Sequence, residues 1–148
     1  MAQFARPNAD TYNADGWTDQ GGGSTNIYLT IDETSASDAD YVRSPLGPVS
    51  DVYVTALTTI EDPVSSTGHT VRWRQGKDAS GGATITMTVE VRQGYTNEGT
   101  PGTLIATAQN AGTVEDTFTD KSYTLSGAEA DSITNYGSLF LRFVANQV

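Results

Sequence analysis

The chain has no cysteine and a single histidine, and these two gaps remove a good deal of chemistry. Disulfides and thiol catalysis are excluded, and a zinc set, which needs three or four nitrogen or sulfur ligands, cannot be assembled. Cations are scarce as well: eight Lys and Arg stand against 18 Asp and Glu, a formal net charge of −10 in 148 residues. Such a surface repels phosphate backbones and anionic lipid, so direct nucleic-acid or membrane binding is disfavoured. No apolar run approaches the ~18–20 residues of a transmembrane helix. Met1 to Pro7 lacks the apolar stretch of a secretory signal, and no Asn-x-Ser/Thr acceptor occurs. The expectation is a chain made in the cytoplasm that leaves the cell, if it does, without a cleaved signal. Leu- and Ala-rich helical blocks are also missing. Thr, Ser and Gly take their place, a composition that suits pleated, half-buried surfaces joined by turns.

The clearest element is Ala83 to Arg92. Ile85, Met87, Val89 and Val91 fall on one face; Thr84, Thr86, Thr88, Glu90 and Arg92 fall on the other. That period of two predicts a strand with one face on a core and one toward water. The same alternation runs through Ile27–Ile31, Val52–Ala56, Val71–Trp73 and Leu139–Phe143, and more weakly through Tyr41–Arg43, Thr103–Ala108 and Phe118–Leu125. Between these lie loops rich in glycine and proline, among them residues 44–48, 76–82 and 96–102. About eight antiparallel strands at this spacing predict an all-β protein, a two-sheet sandwich or a barrel. Ser126 followed by Glu129 is a capping-box pattern, so 126–133 reads as a helical turn or a loop.

Residues 1–24 lack any sustained period and end in the spacer Gly21-Gly22-Gly23-Ser24, so an N-terminal arm precedes a single domain over 25–148. Phe4, Tyr12 and Trp17 are costly to leave in water. Two fates are open to them. Trp17 folds over an end of its own sandwich, or the arm docks on a neighbouring subunit, and both can hold together.

Catalytic patterns are sparse. His69 shares the parity of Val71 and Trp73, which places it as a packed or hydrogen-bonded side chain. Ser65 and Ser66 lie close in sequence, but no Gly-x-Ser-x-Gly elbow supports a nucleophile. Asp32, Glu33, Asp38 and Asp40 read as a solvated acidic loop, with calcium the other option. Thr11 to Gly16 imitates the start of a calcium loop, yet Thr stands in place of its first Asp and Gly22 in place of its last Glu. No cofactor or metal is expected. Arg72, Arg74 and Lys77 form a basic strip on the outer face of the Val71/Trp73 strand, with Arg92 near it if that strand pairs with Ile85–Val91. It suits an acidic partner or, with Tyr53 or Phe140, a sugar or protein contact; ordinary cross-strand pairing with Glu90 is the plainer alternative.

Several runs together resemble a family of tailed-bacteriophage and prophage virion proteins. They are Ala5-Arg6-Pro7-Asn8-Ala9-Asp10, Gly16-Trp17-Thr18, Ile31-Asp32-Glu33 and Asp38-Ala39-Asp40-Tyr41-Val42-Arg43-Ser44-Pro45. Ser65 to His69 and Ala130 to Tyr136, ahead of Leu139-Phe140-Leu141-Arg142-Phe143, look similar too, whereas residues 94–120 add little. The resemblance implies a non-enzymatic virion component of jelly-roll type, made in the host cytoplasm. Its partner would be the major capsid protein or another virion protein. Two roles follow from it. One is a capsid cement or decoration protein on the outer shell, often a trimer. The other is a tail- or fibre-associated module that binds a receptor or carbohydrate. The arm and the single small domain favour cement. The residues expected to meet a partner are Phe4, Arg6, Tyr12, Trp17, Arg72, Arg74 and Lys77.

Overall fold

Nine strands carry the chain in a computed structural model that describes residues 2–148, and every pairing among them is antiparallel. They are β1 (Pro7–Tyr12), β2 (Thr18–Asp19), β3 (Val42–Arg43), β4 (Asp51–Leu57), β5 (Thr70–Gln75), β6 (Ile85–Gln93), β7 (Thr103–Thr113), β8 (Thr119–Thr124) and β9 (Leu139–Gln147). The protein is therefore predominantly β, with open sheets. Five strands form the main sheet in the order β1-β4-β9-β6-β7; β2 pairs with β3 and β5 with β8 in two small sheets.

The alternation read over Ala83–Arg92 is observed in the register of the sheet. Val89 lies opposite Phe143 and Val91 opposite Leu141, while Tyr53 flanks Phe143 from β4. These side chains share one face of the sheet, which two clusters cover. At one end Leu125, Ala130, Ile133 and Tyr136 pack on Val91, Ile105 and Leu139. At the other end Trp17 and Ile27 pack on Tyr53 and Ala145. The opposite face is not simply wet: Tyr12 and Tyr95 cover Val52, Val54, Phe140 and Val144. One helical turn, α1 (Gly127–Asp131), follows β8. The Ser126 side chain accepts from the Glu129 amide, and the Glu129 carboxylate accepts from the Ser126 amide, so the capping box forms.

Three expectations are corrected. Ile27–Thr30 is a 3-10 turn, not a strand. Asn26 enters it at φ 54°, and the Asp10 carboxylate accepts from the amides of Ile27 and Tyr28, both at 2.9 Å. Those amides are thus taken by a side chain rather than by a neighbouring strand. Ile27 is buried while Leu29 is 54% exposed, which breaks the alternation. The leading segment is no free arm either, because residues 7–12 are an edge strand of the main sheet. It is fastened by Thr55 Oγ1 donating to the Ala9 carbonyl (3.0 Å) and by Arg6, whose amide donates to Thr58 Oγ1 (3.0 Å) and whose carbonyl accepts from the Thr58 amide (2.8 Å). Finally, β5 pairs with β8 and not with β6, so Arg92 stands in a different sheet from Arg72 and Arg74.

Candidate interaction surface

The four N-terminal candidates split between core and surface. Trp17 is 5% exposed and stacks on Tyr53 with ring centroids 5.9 Å apart. Asn13 fixes the approach, accepting from the Trp17 amide and donating to the Trp17 carbonyl, each at 2.8 Å. Tyr12 is half-buried against the back face, and burial, then Asp15 and Glu98, pushes its phenol above the ordinary range. Trp17 and Tyr12 are therefore parts of their own domain. Arg6 donates to the Glu33 carbonyl and lies 5.4 Å from the Phe4 ring centroid. Phe4 itself is 62% exposed and remains on the surface.

The basic strip is mostly neutralised. Arg74 makes a two-pronged pair with Asp38 (2.6 and 3.0 Å) and a further bond to Asp120 (2.9 Å). That pairing holds the Asp38 carboxyl below its usual range and the guanidinium above its own. Arg74 also lies 6.0 Å from the Phe118 ring, which packs on Tyr41. Lys77 pairs with Asp116. Arg72 is exposed and, among the described residues, is in no ion pair. The strip expected to meet a partner is spent chiefly on clamping the 32–41 loop to the β5–β8 pair.

The histidine behaves as a hydrogen-bonded side chain: Nε2 lies 2.8 Å from the Tyr136 hydroxyl. Burial, then Asp62 and Asp131, pushes that phenol upward. Ser65 bonds within its own turn, to Thr67. Asp62, Ser65, Ser66, Asp131 and Tyr136 line a shallow, open depression. Asp32, Glu33, Asp38 and Asp40 do not converge, and among the described residues no group of three or more His, Asp or Glu side chains is placed to hold a metal. Tyr53 is wholly buried, which removes it as a stacking platform for a sugar.

One feature was read only in part from the sequence and another was missed. The first is an ionic cluster on the back face, of which the expected pairing with Glu90 is one piece. Arg142 donates to Glu98 (2.6 and 3.0 Å) and to Glu90 (3.1 Å), and Arg92 joins Glu90 at 2.8 Å. Tyr95 adds a bond to Glu98 at 2.8 Å. The Arg142 bond, helped by that from Tyr95, holds the Glu98 carboxyl below its ordinary value despite burial. A hint lay in Arg142 sharing parity with Phe140 and Val144, apolar neighbours that call for a cover. The second is the loop before β4, where Leu46 is 99% exposed and Val49 81%. Its signal was two large apolar residues set among Pro45, Gly47 and Pro48. No protein-family model, no curated protein and no solved structure matches the chain.

Proposed function

We propose that this chain is a virion structural protein of the tailed-phage type, a cement or decoration protein on the outer capsid that acts by binding and not by catalysis. The observation that carries the proposal is where the residues of the resemblance sit. Arg6, Asp10, Trp17, Ile31, Val42 and Pro45 belong to one continuous stretch that laces across one end of the sheet and builds the cover of its first face there. Part of the likeness to virion proteins therefore lies in residues that build the fold, while Asn8, Asp38, Ala39, Asp40 and Arg43 of the same runs lie on the surface. The jelly-roll form of sandwich belongs to the same proposal, with the main sheet as one layer and the two small sheets, the 3-10 turn and α1 as the other.

In this role the partner is the major capsid protein, and a homo-trimer sits at a junction of the shell. A protein that binds only assembled shells stabilises them by mass action, and several contacts per oligomer raise the effective affinity. The test is electron microscopy of purified particles of the phage or prophage that encodes the chain, with the protein tagged at its N-terminus. Density at capsomer junctions is expected. Label confined to tails or fibres would replace the cement role with the receptor- or carbohydrate-binding one, and particles lacking the protein would end both.

A further inference from the structure

Leu46 and Val49 are almost fully in water, yet the loop that bears them is firmly built. Pro45 and Pro48 fix φ on either side of Gly47, which takes φ 65°. Pro48 is buried, and its carbonyl accepts from the Gln147 amide at 2.7 Å. Ser50 holds the unusual φ of 58°, with its amide on the Asn146 side chain at 3.1 Å. Val49 donates to Asp51 at 3.4 Å. The loop is therefore tied to β9 on either side of Val49, and a non-glycine residue is kept in a left-handed conformation to do it. Backbone strain of this kind is retained where the surrounding structure imposes it, and it clusters at binding sites. A protrusion already held in one shape gives up little conformational freedom on docking.

We infer that Leu46 and Val49 form an apolar plug that inserts into a recess, rimmed by Lys or Arg, on a different virion polypeptide; the identity of that partner class rests on the function proposed above. Size argues against a second copy. Two such side chains expose on the order of 300 Å², below the roughly 800 Å² per partner that a stable isologous interface buries. Charge argues the same way. A two-fold contact at this loop would bring Asp51 toward Asp51, whereas a cationic rim attracts that carboxylate and the chain's net charge of −10. A small plug of this kind binds weakly alone and tightly when repeated over a lattice.

The test compares wild type with the double variant L46S/V49S for binding to capsids of the encoding phage assembled without this protein. Neither side chain contributes to the core, so an unchanged melting midpoint serves as the folding control. The expected loss of affinity is at least about 100-fold, with wild-type binding falling about tenfold between 0.05 and 0.5 M NaCl as the cationic rim is screened. Equal binding by both proteins overturns the plug while leaving the virion role intact. Salt-insensitive wild-type binding overturns the cationic rim. A wild-type chain that ignores capsids overturns the virion role and the plug with it, and a dimer or trimer that L46S/V49S dissociates in the absence of capsids shows the occupant to be a second copy.

Discussion

Asp10 sits on an edge strand, yet its two oxygens accept three hydrogen bonds: from the Ile27 and Tyr28 amides and from the Tyr53 hydroxyl at 2.8 Å. The carboxylate joins β1, the 3-10 turn and the centre of the sheet at one point, and burial, then this carboxylate, drives the Tyr53 phenol far above its ordinary range. Asp10→Asn turns an acceptor into a donor that faces other donors, so it should cost about 1–3 kcal/mol, read as a lower midpoint in urea denaturation. Tyr53→Phe removes one bond without leaving a misdirected donor at Asp10, and its cost should be smaller. None of this was legible in the sequence. Asp10 reads there as one more acid in an acidic arm, because side chain-to-backbone bonds across 17 or 18 positions leave no periodic mark. His69 was legible, since parity with Val71 suffices to place a side chain on a packed strand.

At the level of elements, β4, β6 and β9 follow directly from alternation, because each has a face that must be apolar. β1 does not. Pro7-Asn8-Ala9-Asp10-Thr11-Tyr12 contains one large apolar side chain, and its strand conformation comes from pairing with β4 and from polar anchors. Removing residues 2–20 would strip β1, Asp10 and Trp17 from the domain in one step. The cooperative urea transition, followed by circular dichroism, should then be lost or strongly displaced; an unchanged midpoint would show that the sheet does not need its edge. The 94–102 loop is held onto the back face through Glu98, whose carboxyl the Arg142 bond keeps below its ordinary pKa in the folded state. A depressed carboxylate pKa contributes stability that is complete above the unfolded value and lost as pH falls through the folded one. Stability measured from pH 7 to pH 3 should therefore drop on the acid side of about pH 4.5, and Glu98→Gln should drop less steeply. The alternation in β6 marked Glu90 and Arg92 as outward-facing, which they are. What a sequence period cannot register is that a loop later folds over that outer face.

For the molecule as a whole, the dominant feature is that neighbours in the sheet are far apart in sequence. β4 pairs with β9 across more than eighty residues, and β6 with β9 across roughly fifty. Loops of that length must close before any contact rewards them, which predicts folding in milliseconds to seconds rather than microseconds. Stopped-flow tryptophan fluorescence reports it, since Trp17 reaches its stacked position on Tyr53 only when the sheet has formed. The class of the fold was legible because period two is a global pattern repeated in many segments. The assignment of strands to sheets was not, because β5 alternates as regularly as the strands of the main sheet, β8 only weakly, and nothing local marks the two as partners.

The placement of β9 between β4 and β6 also governs what happens on the ribosome. β1–β4 and β6–β7 can each pair as soon as they emerge, but the strand that joins them is the last to be synthesised. Until residues 139–147 are free, each nascent chain carries two unpaired strand edges, on β4 and on β6, with matching apolar faces beside them. Adjacent chains on one messenger are thus at risk of zipping to each other, and any product stopped short of Leu139 is a sticky pair of half-sheets rather than a smaller version of the protein.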